Sequence, residues 1–113
     1  MISKETFRKL ALSFPEVTEE PHFEKTSFRV KKKIFATYDG ANNRACLKLS
    51  EINQSVFTQA SQVAIYIEPN TWGKQGWTYV DLKKISKALF TEALTAAYCD
   101  VAPKKLADMV KTD

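Results

Sequence analysis

Three consecutive lysines, Lys31–Lys33, form the densest group of cations in the sequence. They separate two short segments, Phe28–Val30 and Ile34–Ala36, with apolar residues at alternate positions on each side. Because strand side chains point to opposite faces with a period of two, this pattern predicts a β-hairpin with the lysines at its tip. Lysines there can contact backbone phosphates and release condensed counterions, which indicates salt-sensitive binding of a polyanion. A solvated tip that keeps a strand edge soluble is the competing interpretation.

A second group of basic and aromatic residues follows later in the chain. Trp72 and Trp77 bracket Lys74 in a loop that runs from Pro69 to Gly76. Aromatic faces beside cations can stack on unpaired bases, largely regardless of base identity. Alternatively, Trp77 closes a small core under the loop or fills a protein interface, where aromatic residues are also enriched.

Two residues with catalytic potential, His22 and Cys46, lack the partners that catalysis would need. His22 is the only histidine, and no nucleophile or metal-ligand spacing accompanies it, so a histidine hydrogen-bonded in a packed turn is favoured. Cys46 stands between Arg44 and Lys48, and these cations could lower its thiol pKa. Phosphate-binding glycine loops, zinc-protease motifs and nucleophile elbows are missing from the sequence. We therefore expect no catalytic residue, metal, cofactor or enzymatic activity.

Composition and charge favour one soluble domain covering residues 1–113. Of these residues, 44% are apolar and 27% are charged, as in ordinary folded domains. The net charge of +4 comes from the first half of the chain: residues 1–50 contain 10 Lys/Arg and 6 Asp/Glu, and residues 51–113 contain 7 of each. This asymmetry is compatible with a polyanionic partner. The sequence has no transmembrane or signal-peptide pattern, so a cytoplasmic protein is expected. Cys46 and Cys99 lack the spacing of a metal site or a redox pair, so both thiols are expected to be reduced.

The pattern of apolar residues predicts the element order α-β-β-β-α-β-β-α, with one possible terminal helix. Helices are expected after the capping residues Ser3, Ser50 and Ser86, and after Pro103. Residues 16–26 are acidic and contain a proline, which predicts a connector. Strands are expected in the hairpin Thr26–Tyr38 and over Arg44–Leu49, Val63–Glu68 and Trp77–Leu82. This order predicts a single-domain α+β fold with a mainly antiparallel sheet, two hairpin wings and helices packed on one face.

The loop of the first hairpin has two possible lengths. A two-residue loop places Arg29 opposite Ile34, whereas the three-residue loop Lys31–Lys33 places Val30 opposite Ile34. The three-residue loop separates apolar from polar side chains better. Either loop normally has glycine or asparagine at its positive-φ position, so lysines there imply mild strain or a looser turn.

Alternation along the strands assigns side chains to two faces. The helix-covered face is expected to carry Phe28, Val30, Ile34, Leu47, Leu49, Ile65, Ile67, Val80 and Leu82. The opposite face is expected to carry Arg29, Phe35, Arg44, Cys46, Lys48, Tyr66, Trp77 and Tyr79. The second helix is expected to bury Ile52, Val56, Phe57 and Ala60. One side of the sheet should therefore mix cations with aromatic rings.

An ordered set of motifs resembles the MmcQ/YjbR family of small bacterial proteins. The motifs are Glu19–Phe23, Phe28–Val30 with Lys33–Thr37, Gly76–Trp77, and Ala97–Tyr98 ahead of Ala102–Lys105. The resemblance spans nearly the whole chain and implies one α+β domain with two hairpin wings, a fold compared with double-wing DNA-binding proteins. Relatives are commonly labelled DNA-binding on that likeness. Many of them have glycine or asparagine where this chain has Lys31 and Lys32, and glycine where it has Glu24.

These observations lead to three hypotheses. The first is a non-enzymatic nucleic-acid-binding domain, with DNA as the expected partner. Its expected binding residues are Arg29, Lys31, Lys32, Lys33, Arg44, Lys48, Trp72, Lys74 and Trp77. The second is a protein-interaction module or homodimer that buries the sheet face around Tyr66, Trp77 and Tyr79. The third is a small-molecule binder that uses a cleft near His22.

Overall fold

Eleven elements make up the described part of the chain, residues 1–111 of this computed structural model. They are α1 (Lys4–Leu12), β1 (Val17–His22), β2 (Lys25–Val30), β3 (Lys33–Asp39), β4 (Arg44–Lys48), α2 (Glu51–Ala60), β5 (Ile65–Ile67), α3 (Thr71–Lys74), β6 (Trp77–Asp81), α4 (Lys87–Val101) and α5 (Lys104–Val110). The last two residues of the predicted domain, 112 and 113, lie outside the described residues. No helix within residues 1–111 is long and apolar enough to cross a bilayer.

All six strands join one sheet in the order β1-β2-β3-β4-β6-β5, and every neighbouring pair is antiparallel. The predicted α+β class is therefore confirmed. Because β6 lies between β4 and β5, the second hairpin extends the same sheet that contains the first. Aromatic rings from α1 and α4 fill the core: Phe7 stacks on Phe28 with ring centroids 5.2 Å apart and meets Phe90 at 5.2 Å.

Serine side chains begin three of the helices, as predicted. The hydroxyl oxygens of Ser3, Ser50 and Ser86 each accept a hydrogen bond from the backbone N–H three residues later, at 3.1–3.2 Å. Each hydroxyl thereby satisfies one of the amide groups that a helix leaves without an internal partner. The predicted terminal helix also forms, with Pro103 at its start.

The predicted connector over residues 16–26 is wrong, since it contains β1 and the first residues of β2. Strand β1 pairs with β2 from Val17, opposite Val30, to His22, opposite Lys25. Proline removes a ladder hydrogen bond, and Pro21 is tolerated because β1 is an edge strand. The acidic residues that suggested a loop instead keep this exposed edge charged and soluble.

The β2–β3 hairpin has the shorter of the two predicted loops, so the preferred three-residue loop Lys31–Lys33 is wrong. Lys31 and Lys32 form a two-residue turn with φ of 50° and 70°, and Arg29 lies opposite Ile34. The register then shifts, so that Phe28 lies opposite Ala36. The extra residue in β3 is a β-bulge, which locally changes the alternation of side chains.

This bulge overturns two predicted positions on the sheet. Phe35 was expected on the open face, yet it is 0% exposed and packs edge-on against Tyr98 with ring centroids 5.4 Å apart. Ile34 was expected in the core, but it lies on the face away from the helices. The remaining predicted core residues of the sheet are buried, except Ile67 on edge strand β5.

The predicted apolar side of α2 is also wrong. Ile52 and Val56 are 76% and 54% exposed, and Ala60 is exposed too, whereas Phe57 is buried as predicted. The second buried residue of the helix is Gln54. The Gln54 amide donates to the Gly73 carbonyl and to the Thr78 hydroxyl, each at 3.0 Å. A buried amide is tolerated because these partners satisfy it, and hydrophobic periodicity does not reveal such a partnership.

Replacing Lys32 with glycine should stabilise the fold. Its φ of 70° is costly for a residue with a Cβ, so Lys32→Gly should raise the free energy of unfolding by roughly 0.5–1 kcal/mol in urea denaturation. The control is Lys33→Gly, which removes the same charge from an ordinary strand position and should lower stability. Equal destabilisation by both substitutions would contradict the strained turn.

Candidate nucleic-acid interface

The sheet face away from the helices carries a row of side chains that crosses five strands. Ser27 pairs with Thr37, Thr37 with Cys46, Cys46 with Tyr79, and Tyr79 with Tyr66. We call this side the open face. The predicted mixture of cations and aromatic rings lies on both sides of this row.

A basic groove lies along one side of the open face and has a volume of about 520 Å³. Its lining is Lys33, Ile34, Lys48, Leu49, Ser50, Trp77, Asp100 and Val101. Lys48 lies opposite Trp77, and its ammonium is 5.9 Å from the centroid of the indole ring. The Asp100 carboxylate is already engaged, because it accepts from the Ser50 N–H at 2.8 Å and from the side chain of Asn53. Both partners are neutral donors and do not cancel the charge of Asp100, so the lining, with Lys33 and Lys48 against one carboxylate, is net positive.

Trp77 is held in place by the residue before it. Gly76 has φ of 105°, and a Cβ there would collide with the Leu49 carbonyl oxygen. The Leu49 N–H donates to the Gly76 carbonyl at 2.9 Å, which locks β6 beside β4. Only glycine allows this approach, so the Gly76–Trp77 motif fixes the indole opposite Lys48.

An aromatic groove of about 490 Å³ adjoins the basic groove. Its lining is His22, Phe23, Lys25, Ile34, Thr37, Cys46, Glu68, Trp72, Trp77 and Tyr79. Ile34 and Trp77 line both grooves, so together they form one continuous depression. Phe23 and Trp72 are 93% and 54% exposed, which leaves large ring surfaces in contact with water.

A hydrogen-bonded cluster lies on the floor of the aromatic groove. The Cys46 thiol donates to Glu68 Oε2 at 3.4 Å. Burial, followed by the charge of Glu68, raises the pKa of Cys46 to about 12. Burial and then Glu68 also raise the pKa of Tyr79. The expectation that neighbouring cations lower the pKa of Cys46 is therefore wrong, because burial and a carboxylate outweigh the opposing effect of Lys25.

Arg44 lies apart from both groove linings. It pairs across the sheet with Asp39 on one side and Asp81 on the other, and its Nε is 3.8 Å from Asp39 Oδ2. Its guanidinium carbon lies 3.9 Å from the centroid of the Tyr79 ring. Arg44 thus packs on an aromatic ring beside the Asp39 carboxylate, which compensates part of its charge.

Arg29, Lys31 and Lys74 lie outside both groove linings. Lys31 forms an ion pair with Glu16 at 2.7 Å, and Arg29 Nε donates to the Ser27 hydroxyl at 3.0 Å. Lys74 is exposed at the end of α3, outside both linings. Of the nine predicted binding residues, the structure brings Lys33, Lys48, Trp72 and Trp77 together in the grooves.

Glu68, Lys25 and Phe23 are groove residues that sequence reasoning did not select. Glu68 ends the predicted strand Val63–Glu68, so alternation from Tyr66 already placed it on the open face, although no motif marked it as a binding residue. Lys25 is the first residue of β2 and lies in the predicted connector. Extending the predicted hairpin strand by one residue before Thr26 would have placed Lys25 on the open face as well. His22 is half-buried at the groove edge and meets the Phe23 ring edge-on at 4.9 Å; within residues 1–111 its side chain forms no hydrogen bond, contrary to expectation.

The Cys46 thiol should react slowly with iodoacetamide, because alkylation requires the thiolate. In a Cys99→Ser background, mass spectrometry should show a rate that still rises at pH 10 without a plateau, as a pKa of about 12 requires. Glu68→Gln should accelerate the reaction, whereas Glu92→Gln, at an exposed position of α4, should not. A plateau below pH 9 would contradict the assigned cause.

Comparisons with known proteins agree on the fold. The YjbR family model matches residues 12–99. The crystal structure of a Deinococcus radiodurans protein whose domain is described as DUF419 is similar to this chain with a TM-score of 0.79 and 22% sequence identity. The similarity covers 97% of this chain and 88% of that one, and at this identity it shows the fold alone. The curated proteins contain no match. Since the family model spans well over half of the chain, the chain belongs to the YjbR family.

Proposed function

We propose that the protein binds nucleic acid along the open face and prefers single-stranded or locally unpaired segments. The observation that carries the proposal is the position of Trp77 in the wall shared by two grooves, with the Lys48 ammonium 5.9 Å from its ring. A phosphate on the lysine and a base on the indole would then be adjacent parts of one nucleotide.

Cations at the basic groove support contact with the backbone. Lys33 and Lys48 line it, and no acidic side chain within residues 1–111 forms an ion pair with either. Lys32, exposed at the turn next to Lys33, extends the positive surface towards the hairpin tip. Each phosphate neutralised here would release condensed counterions, so binding should weaken steeply as salt rises.

The shape of the site favours unpaired bases over an intact duplex. Trp77 is half-buried within a depression, and paired bases stacked inside a duplex cannot place their faces against it. An unstacked base can enter the depression and lie against Trp77, or against the more exposed Trp72. We therefore propose that the main contact is on the sheet face, with the hairpin tip in a supporting position.

The proposed role is binding without catalysis, and DNA is the first candidate because of the double-wing likeness of the family. We place this role in the bacterial cytoplasm, where nucleic acid is available. The two free cysteines, Cys46 and Cys99, suit that reducing compartment.

Self-association is a second candidate for the same side of the molecule. Strand β5 is an edge strand of three residues, and Tyr66 and Ile67 within it are exposed, as is Val63 just before it. Unpaired strand edges with exposed apolar side chains can pair with another chain. Sedimentation velocity across a hundredfold concentration range should show a rising sedimentation coefficient if this candidate holds, and a constant monomer value excludes it.

The lysines of the basic groove should control the affinity for nucleic acid and its salt dependence. Anisotropy titrations with a fluorescent ten-nucleotide single strand at 20–200 mM salt should show linear loss of log affinity with log salt. Lys33→Ala/Lys48→Ala should lower the slope by about 1.4, since each phosphate contact on a single strand contributes about 0.7.

The matched control is Lys83→Ala/Lys87→Ala, which removes two exposed lysines outside the grooves. This control should keep the slope of log affinity against log salt that the unmodified protein shows, although it removes as much positive charge as Lys33→Ala/Lys48→Ala. Trp72→Ala should weaken binding roughly fivefold or more by removing one stacking surface. No binding at 20 mM salt, or identical slopes for both double variants, would refute the proposal.

A further inference from the structure

We infer that the aromatic groove is a pocket for one unpaired guanine, whose Watson–Crick edge is recognised by Glu68 and Lys25. This inference rests on the proposed function and names the base that the site selects. Its volume of about 490 Å³ lies within the range of pockets that hold ligands of nucleotide size.

Exposed rings at the groove provide the stacking surface that a base requires. Phe23 is 93% exposed and adopts a φ of 59°, which is uncommon for a residue with a Cβ. Trp72, 54% exposed, comes from α3, a different part of the chain, and lines the same groove. Large rings left in water around one cavity are explained if a flat ligand covers them when bound.

Glu68 provides an acceptor that can be shared with a ligand. One of its oxygens, Oε2, accepts from the Cys46 thiol, and the Tyr79 hydroxyl is a second neighbouring donor. A carboxylate has two oxygens with about four lone-pair directions, so accepting capacity is left after these two partners. A thiol is a weak donor and stays protonated here, so it does not neutralise the carboxylate. The charge of Glu68 is therefore available to a ligand that carries N–H groups.

Guanine matches this arrangement better than the other bases do. Its N1–H and N2–H2 groups are adjacent donors that fit the two oxygens of one carboxylate, and its O6 on the same edge accepts from an ammonium. Glu68 and Lys25 line the same groove and would supply these opposite partners. Adenine and cytosine place an acceptor beside a single amino group, and thymine places its N–H between two carbonyls. Each of these bases would therefore leave part of the Glu68–Lys25 pair unmatched.

The test uses fluorescent eight-nucleotide thymine strands with one central position varied among guanine, adenine, cytosine, hypoxanthine and thymine. We expect the guanine strand to bind about tenfold more tightly than the all-thymine strand. Hypoxanthine, which lacks the N2 amino group, should give an intermediate affinity. Glu68→Gln should bring the guanine-to-thymine ratio close to one, whereas Glu92→Gln should preserve it.

A second measurement separates recognition of the base from contact with the backbone. Guanosine monophosphate should protect Cys46 from alkylation at pH 9, because the bound base covers the floor of the groove. Uridine monophosphate, with the same phosphate, should not protect it. Melting temperatures of all variants identify any loss that comes from unfolding.

The possible outcomes distinguish this inference from the proposed function. Equal affinity for all five strands, together with no protection of Cys46, would overturn the guanine pocket and leave nucleic-acid binding in place. Failure of every strand to bind at low salt would overturn both. A guanine preference that survives in Glu68→Gln would also overturn the assignment of Glu68 as the recognising group.

Discussion

The centre of the sheet depends on the close approach of Gly76 to Leu49. This contact brings β6 beside β4, although β5 precedes β6 in the chain and ends up at the sheet edge. Gln54 reinforces it from the helical side, because its amide bonds to the Gly73 carbonyl and the Thr78 hydroxyl. Helix α2, the loop around α3 and strand β6 are thereby tied together. The same contact that completes the sheet also places Trp77 opposite Lys48.

Because the helices cover only one side of the sheet, the other side forms the open face. Helices α1 and α4 bury the apolar row, and the alternating residues form the open face, where Ser27, Thr37 and Cys46 are buried and Tyr66 is exposed. Those residues are neither uniformly polar nor uniformly basic. The open face divides into a basic groove, an aromatic groove with one carboxylate, and the partly compensated arginine at Arg44. Charge and ring surface lie close together there, an arrangement that would suit the proposed ligand, in which phosphates and bases alternate.

Much of this architecture could be predicted from local rules. Serine caps located three helix starts, and strand alternation identified most of the open face because both depend on neighbouring residues. Local rules failed where a distant partner decided the outcome. Gln54 is buried because of Gly73 and Thr78, and β1 forms because β2 offers a free edge. Neither groove could be located before the position of β6 in the sheet was known, and Glu68 had no motif to mark it.

The β-bulge at Phe35 has a consequence for how this hairpin can vary. At the base of the hairpin, on the side of the bulge away from the turn, Phe28 lies opposite Ala36 and Phe35 packs on Tyr98. These contacts fix the register of β2 and β3. Beyond the bulge, towards Lys31 and Lys32, few side chains enter the core. The bulge therefore separates a closely packed base of the hairpin from a tip whose charge can be changed without disturbing the interior.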